Sequence, residues 1–396
     1  MFVGRKYQYR EVEGPWDAVV IGSGIGGLAC AALLAKAGKR VLVLERHYTA
    51  GGFTHTYTRK GFEWDVGVHY IGKVHREGSI LRRVFDDITD GKLQWAPMDE
   101  VYDRIVFPDA TYDFVAGREN FRERMTAYFP GEGKAISAYL EKVEEVRRAT
   151  RDFFAQRAMP RLLGKLAYPL LSRPFREHAR RTTIETLRAL TRNEKLIGVL
   201  CGQYGDYGLP PGESSFAVHA MVVDHYLDGG AYPVGGASQI ARTILPVIER
   251  GGGRVVVRAE VTRILTRQGR AEGVRLADGT EIRAPLVVSD AGVWNTFTRL
   301  LPDEPKCAPL RKALVRVPPS VAHVCLYVGL REEARVLGLP RTNLWIYPGY
   351  DHDANLRNYR EDRNAPLPVA YISFPSAKDP DWPNRWPGRS TIEVIG

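Results

Sequence analysis

Short apolar runs punctuated by glycine dominate the first fifty residues. Residues 16–21, Trp-Asp-Ala-Val-Val-Ile, read as a strand buried on both faces, since a parallel strand covered by helices has no solvent face to mark with polar residues. Gly22-Ser23-Gly24-Ile25-Gly26-Gly27 follows. Residues 28–37 are then small and apolar, in the manner of a helix packed on a sheet, and halt at Gly38. Residues 41–44 repeat the strand signature and end on Glu45.

Further along, 103–107 and 111–115 alternate as a hairpin. Residues 132–150 place Ile136, Tyr139, Leu140, Val143 and Val146 on one helical face. A helix over 238–250 is stopped by three glycines, 251–253. Strands follow at 254–257 and 261–265, and Asp278-Gly279 turns a hairpin between 273–276 and 281–283. A buried strand at 286–288 ends in Ser289-Asp290-Ala291-Gly292, and 321–329, 343–347 and 369–374 read as more strands. A mixed sheet with helices on one side would floor an apolar tunnel.

Composition narrows the class. With 396 residues, 44% apolar and 26% charged, the chain is ordinary globular protein, long enough for two lobes. Four scattered cysteines, none in C-x-x-C, argue against a disulfide framework and a zinc ribbon and fit a reducing, cytoplasmic setting. No signal peptide and no transmembrane helix are expected. Of the +10 net charge, residues 151–181 hold eight Lys/Arg against two acids, interleaved with Leu, Phe and Tyr. Such a segment suits peripheral contact with an anionic membrane; the competing reading is a solvated helical face over a core stripe. Pro160, Pro169 and Pro174 are expected to break it. No nucleic-acid motif appears.

The glycine turn carries the first chemistry. Gly22, Gly24 and Gly27 fit G-x-G-x-x-G, with Gly26 beside them. Gly22 permits the tight turn, Gly24 lets a diphosphate approach the backbone, and Gly27 lets the helix sit close to the strand. The helix N-terminus offers free N–H groups to phosphate. Glu45 falls where ribose hydroxyls need an acceptor. Strand, turn, helix, second strand and acid all occur in order, which a chance glycine pattern lacks.

Beyond Glu45, the run Arg46-His47-Tyr48-Thr49-Ala50-Gly51-Gly52-Phe53 resembles the second signature of flavoproteins of the glutathione-reductase and amine-oxidase class. Asp65-Val66-Gly67-Val68-His69-Tyr70-Ile71-Gly72, Gly205-Asp206-Tyr207-Gly208-Leu209-Pro210-Pro211 and residues 225–233 resemble the retinol saturase-like branch of the carotenoid isomerase and phytoene desaturase superfamily. The resemblance runs from about residue 16 to 395. It implies an α/β fold, with a Rossmann-like FAD-binding domain over 1–90 and 230–300. A mixed-sheet α+β substrate domain would be formed by 91–229 and 301–396. It implies FAD held by the glycines, Glu45, Arg46, Gly51, Gly52 and Phe53, with Val261 passing the adenine and Ala291 and Gly292 closing the sheet near the cofactor. It implies saturation of one C=C bond in an apolar polyene or isoprenoid, by hydride from reduced flavin and a proton from an acid.

His69 and Tyr70 are the first candidates for that acid, Tyr204 and Asp206 the second. The competing readings are a structural histidine that shapes the cofactor loop, and an aspartate that anchors the 204–211 turn. Desaturation or isomerisation is the rival chemistry, and a non-catalytic lipid- or prenyl-binding escort is the rival class. NAD(P)H is the candidate electron donor, although no second glycine unit marks a nicotinamide site. No H-E-x-x-H and no close acidic cluster appear, so no metal is expected; 212–216 misses G-x-S-x-G, which excludes the hydrolase elbow. The family's closing strand, glycine turn and helix find no match downstream of Ile264; if the sequence is complete, an expected wall of the flavin site is missing, and if it is a fragment, the function belongs to the parent protein.

Overall fold

A computed structural model describes residues 2–396. Five parallel strands form the first sheet, in the order Arg5–Lys6, Arg254–Val257, Val41–Glu45, Ala18–Ile21, Leu286–Ser289. Alternate residues of these strands feed two cores. Ala18, Val20, Val41, Val43, Val255 and Val257 face the helices Ile25–Lys36 and Gln239–Arg250. Val19, Ile21, Leu42, Leu44 and Val256 face an antiparallel sheet of Val261–Arg267, Arg270–Leu276 and Glu281–Arg283. Both faces are covered, which is why the strands read as unbroken apolar runs.

The second main sheet has six strands, in the order Cys325–Leu330, Ser390–Ile395, Ala370–Ser373, Asn343–Ile346, Val101–Val106, Thr111–Val115. Only Asn343–Ile346 and Val101–Val106 pair in parallel. Its core is closed by the helices Arg118–Tyr128, Gly133–Ala158, Glu194–Leu200 and Phe216–Tyr226. The strands of the two sheets come from alternating stretches of chain. A small sheet of Ile71–Gly72, Gly230–Pro233 and Trp95–Pro97 bridges them.

Two expectations are corrected. The helix foreseen over 132–150 continues to Ala158. Pro160 does separate it from the next helix, but Arg161–Arg180 runs unbroken through Pro169 and Pro174. Each proline removes only one backbone donor. A twenty-residue helix absorbs that loss because it packs along Gly133–Ala158, with Phe153 and Phe175 stacked at 4.7 Å. Among the described residues, no helix is long and apolar enough to cross a membrane.

Candidate active site

Local chemistry builds the first half of the site. Gly22 takes φ 96°, open to glycine almost alone. A Cβ on Gly27 would lie 2.3 Å from the Gly22 carbonyl oxygen, so helix and strand touch only because residue 27 is glycine. Glu45, at the end of its strand, accepts from the Ser23 amide and hydroxyl, each at 2.8 Å, and from the His47 amide at 2.8 Å. Gly51 and Gly52 also have positive φ, and a Cβ on Gly52 would meet Gly24 Cα at 2.9 Å. The two glycine signatures, distant in sequence, therefore pack together.

An anion already sits in this cradle. Asp290 Oδ2 accepts from the Gly27 amide at 2.9 Å. Cβ atoms on Gly24 and Gly26 would stand 2.7 and 2.9 Å from the same carboxylate. A negatively charged oxygen over the first turn of Ile25–Lys36 is what the free N–H groups and the helix dipole favour. The cradle thus accepts the chemistry of a diphosphate. Gly292 (φ 82°) and Ala291 follow directly. Arg46 is exposed beyond the strand end, and Val261 lies beneath the sheet in the second apolar core.

The second half is a cavity of about 640 Å³. Phe53, next to the Gly51–Gly52 pair, stands 77% exposed at its edge and joins it to the cradle. His69, Tyr70, Asp206, Tyr226, Trp345 and Tyr371 line it. Tyr70 stacks on Tyr226 at 4.1 Å and donates to buried Asp103 at 2.8 Å. Asp103 also accepts from Gln203 at 2.7 Å and Asn343 at 2.8 Å. Burial pushes the Asp103 carboxyl up against these three hydrogen bonds. Asp206 lines the cavity with its side chain solvent-exposed; the protein packed around it and the Asp103 charge push its carboxyl up, while Tyr70 pulls it down.

Tyr204 does not join this set. It sits against His352 at 5.0 Å and Tyr347 at 5.8 Å, away from the cavity. Tyr204–Asp206 is a 3₁₀ turn, which rotates successive side chains by about 120°. Residues 204 and 206 therefore face different ways.

Behind His69 the fold assembles a polar cluster that no local motif announces. His69 Nδ1 lies 2.7 Å from Glu393 Oε2, outside hydrogen-bond angles as placed, and each of these buried atoms is left without a hydrogen bond. Glu393 Oε1 accepts from the Asp65 amide at 2.5 Å. Asp65 in turn accepts from Tyr232 Oη at 2.5 Å and the Ala237 amide at 3.1 Å. Lys378, also buried, donates to the His69 carbonyl, Asn343 and Ser373. Burial drives each group toward its neutral form: His69 down to about 4, Asp65 up to about 7, Glu393 up to about 8, Lys378 down to about 8.

Sequence reading found no close acidic cluster, yet one ligand atom each of Asp65, His69 and Glu393 falls within 4.8 Å of the others. The Asp65 oxygens already have donors, and the Lys378 charge acts on both carboxylates. This donor set suits shared protons better than a metal ion. Asp65 opens the 65–72 motif, where nothing local marks it apart from its neighbours. For Glu393 the only signal is one acid in an otherwise uncharged strand, and for Lys378 there is none.

The family described as flavin containing amine oxidoreductases matches residues 25–382. The chain is 40% identical to the all-trans-retinol 13,14-reductase of Danio rerio over 96% of its own length and 65% of that protein's. It is 34% identical to a Danio rerio protein named inactive all-trans-retinol 13,14-reductase, over 98% of this chain and 67% of that one. An oxidoreductase from Methanosarcina mazei superposes with a TM-score of 0.66 at 18% identity, over 96% of this chain and 78% of that one. This chain belongs to the flavin-containing amine oxidoreductase family and has its FAD-binding α/β fold with mixed sheets. It spans about two thirds of the length of the curated relatives it matches.

Proposed function

We propose that this chain is the flavin- and substrate-binding body of an FAD-dependent oxidoreductase that saturates one C=C bond of a conjugated isoprenoid, a retinoid or carotenoid. The observation that carries the reading is one aromatic cavity, joined to a diphosphate cradle at Phe53, with proton-bearing groups along one wall. At about 640 Å³ it falls within the about 300–1,000 Å³ usual for small-molecule sites.

Residues 1–90 with 230–300 are assigned to the cofactor, and 91–229 with 301–396 to the substrate. The cradle glycines would hold the diphosphate and Glu45 the ribose. When bound and reduced, the flavin supplies a hydride. Tyr226, Trp345 and Tyr371 orient the flat polyene and exclude water. His69, with Tyr70 and Asp206 beside it, holds the proton that the neighbouring carbon takes. NAD(P)H is the proposed electron donor. The exposed, basic and apolar Arg161–Arg180 helix is assigned to an anionic membrane surface, from which such a substrate would arrive.

The test is direct. The purified chain is reconstituted with FAD, bleached anaerobically with NADPH, NADH or dithionite, and offered a retinoid and carotenoid panel. Mass spectrometry is expected to find products two hydrogens heavier. Unchanged mass with altered retention would make the chain an isomerase, and a chain that refuses FAD would make it a lipid-binding escort.

A further inference from the structure

Glu393 and His69 come from opposite ends of the chain and meet at 2.7 Å with no third group between them. The imidazole has two faces to satisfy. Nδ1 lies 2.7 Å from Glu393 Oε2, two buried atoms that each lack a partner and can satisfy only one another here, while no partner holds Nε2 among the described residues, and the ring lines the cavity. A neutral imidazole carries one proton, and the hydrogen bond at one nitrogen decides which nitrogen has it. If Glu393 is a carboxylate, it must accept from Nδ1–H, and Nε2 then offers only a lone pair. If Glu393 is a carboxylic acid, it donates to Nδ1, and Nε2–H faces the cavity.

We propose that Glu393 acts through His69: its carboxyl holds the ring in the tautomer that presents Nε2–H to the cavity, and hands its own proton to Nδ1 as Nε2 gives one up. Glu393 is in these terms a positioning residue and a proton store. This rests on the saturation chemistry proposed above. The transfer balances as follows. The Glu393 O–H bond breaks and Nδ1–H forms. His69 Nε2–H breaks and a C–H bond forms on the polyene, using the electron pair of the double bond being saturated. The adjacent carbon would take the hydride that a bound, reduced flavin supplies, so that no net charge would be left on the product. Glu393 ends as a carboxylate and regains its proton from solvent once the product leaves.

The surroundings fit both ends of this transfer. Titratable groups facing Glu393 are Asp65, Lys378, Tyr232, Tyr327, Cys325 and His69. Asp65 and Lys378 also act on the ring electrostatically, and Tyr371 packs at 5.5 Å. Burial keeps Glu393 protonated at neutral pH, up to about 8, and keeps His69 from becoming imidazolium, down to about 4. Once formed, the carboxylate is met by the Asp65 amide and the Lys378 charge. A direct ion pair of His69 with a carboxylate would instead raise the histidine and leave the cavity facing a lone pair.

The test reads the tautomer itself. Ring-¹⁵N-labelled histidine is incorporated and the flavin-free and FAD-loaded chains are followed by ¹H–¹⁵N multiple-bond correlation; loss of one ring system in His69→Gln assigns His69. At pH 6.5 the Nε2–H tautomer is expected, moving toward Nδ1–H between about pH 7 and 9. Glu393→Gln is expected to remove that pH response and to cut product formation at least tenfold, with Glu393→Asp restoring part of both. A His69 already Nδ1–H or imidazolium at pH 6.5, or one indifferent to pH in the wild-type chain, overturns the relay, and this reading needs no variant to fold. Absence of any saturated product while the tautomer responds as stated would overturn the saturation reading and, with it, the relay's catalytic use. Product formed without a tautomer response sinks the relay alone.

Discussion

The amide of Gly27 and the carboxylate of Asp290, 263 residues apart, are hydrogen-bonded at 2.9 Å across the cradle where a diphosphate would lie. Two anionic groups cannot share one helix N-terminus without repulsion. FAD must therefore displace the Asp290 side chain or bind against its charge. Asp290→Asn is expected to tighten FAD binding about tenfold, the equivalent of about 1.4 kcal/mol. Quenching of flavin fluorescence on titration gives the affinity, and a weaker complex would show instead that the carboxylate supports the cofactor.

Tyr70 and Tyr204 should separate cleanly. Tyr70→Phe removes a donor from buried Asp103 and is expected to cost about 1–3 kcal/mol of stability, and to slow product formation. Tyr204→Phe should leave turnover within about twofold, because that ring stands outside the cavity. Urea unfolding and a single-turnover product assay measure the two effects; equal losses would contradict the placement of Tyr204.

His219 predicts a pH dependence. It lies between Tyr139 Oη at 2.9 Å and Tyr207 Oη at 3.0 Å, and burial pushes it down to about 3. A depressed value means that the unfolded chain binds the proton first. The stabilisation is complete above about pH 6.5 and is lost as the pH falls toward 3, at about 1.4 kcal/mol per unit. Between pH 7.5 and 5 the wild-type chain should lose about 2 kcal/mol more than His219→Gln. Urea unfolding of both at the two pH values checks this; parallel losses would refute it.

Leu162, Leu166 and Leu170 share one helix face and are 72–76% exposed, alongside Arg161, Lys165 and Arg173. The chain should co-sediment with phosphatidylserine vesicles, weakly with neutral ones, and less at high salt. Replacing the three leucines by serine should abolish sedimentation without lowering the melting temperature, since their burial contributes little to the fold. Unchanged sedimentation would place the contact elsewhere.

The inactive relative sharpens what a family match leaves open, since chains of this fold are named for the activity and for its lack.

What the sequence by itself determined is local. Gly22, Gly24, Gly27 and Glu45 are legible because a turn, a helix start and the end of the next strand lie within one short stretch, and backbone sterics dictate glycine there. The strand pattern followed because burial on both faces removes polar residues. His69, Tyr70 and Asp206 were legible through motif resemblance, though with no indication of what faced them. Only the tertiary structure decided that Asp290 fills the cradle, that Tyr204 turns away, and that Asp65, His69, Lys378 and Glu393 form one buried cluster. Strand alternation at 390–395 tells which residues share a face with Glu393 and not whether that face meets water. Its protonation follows from burial among groups supplied by distant strands, and long-range packing alone settles that.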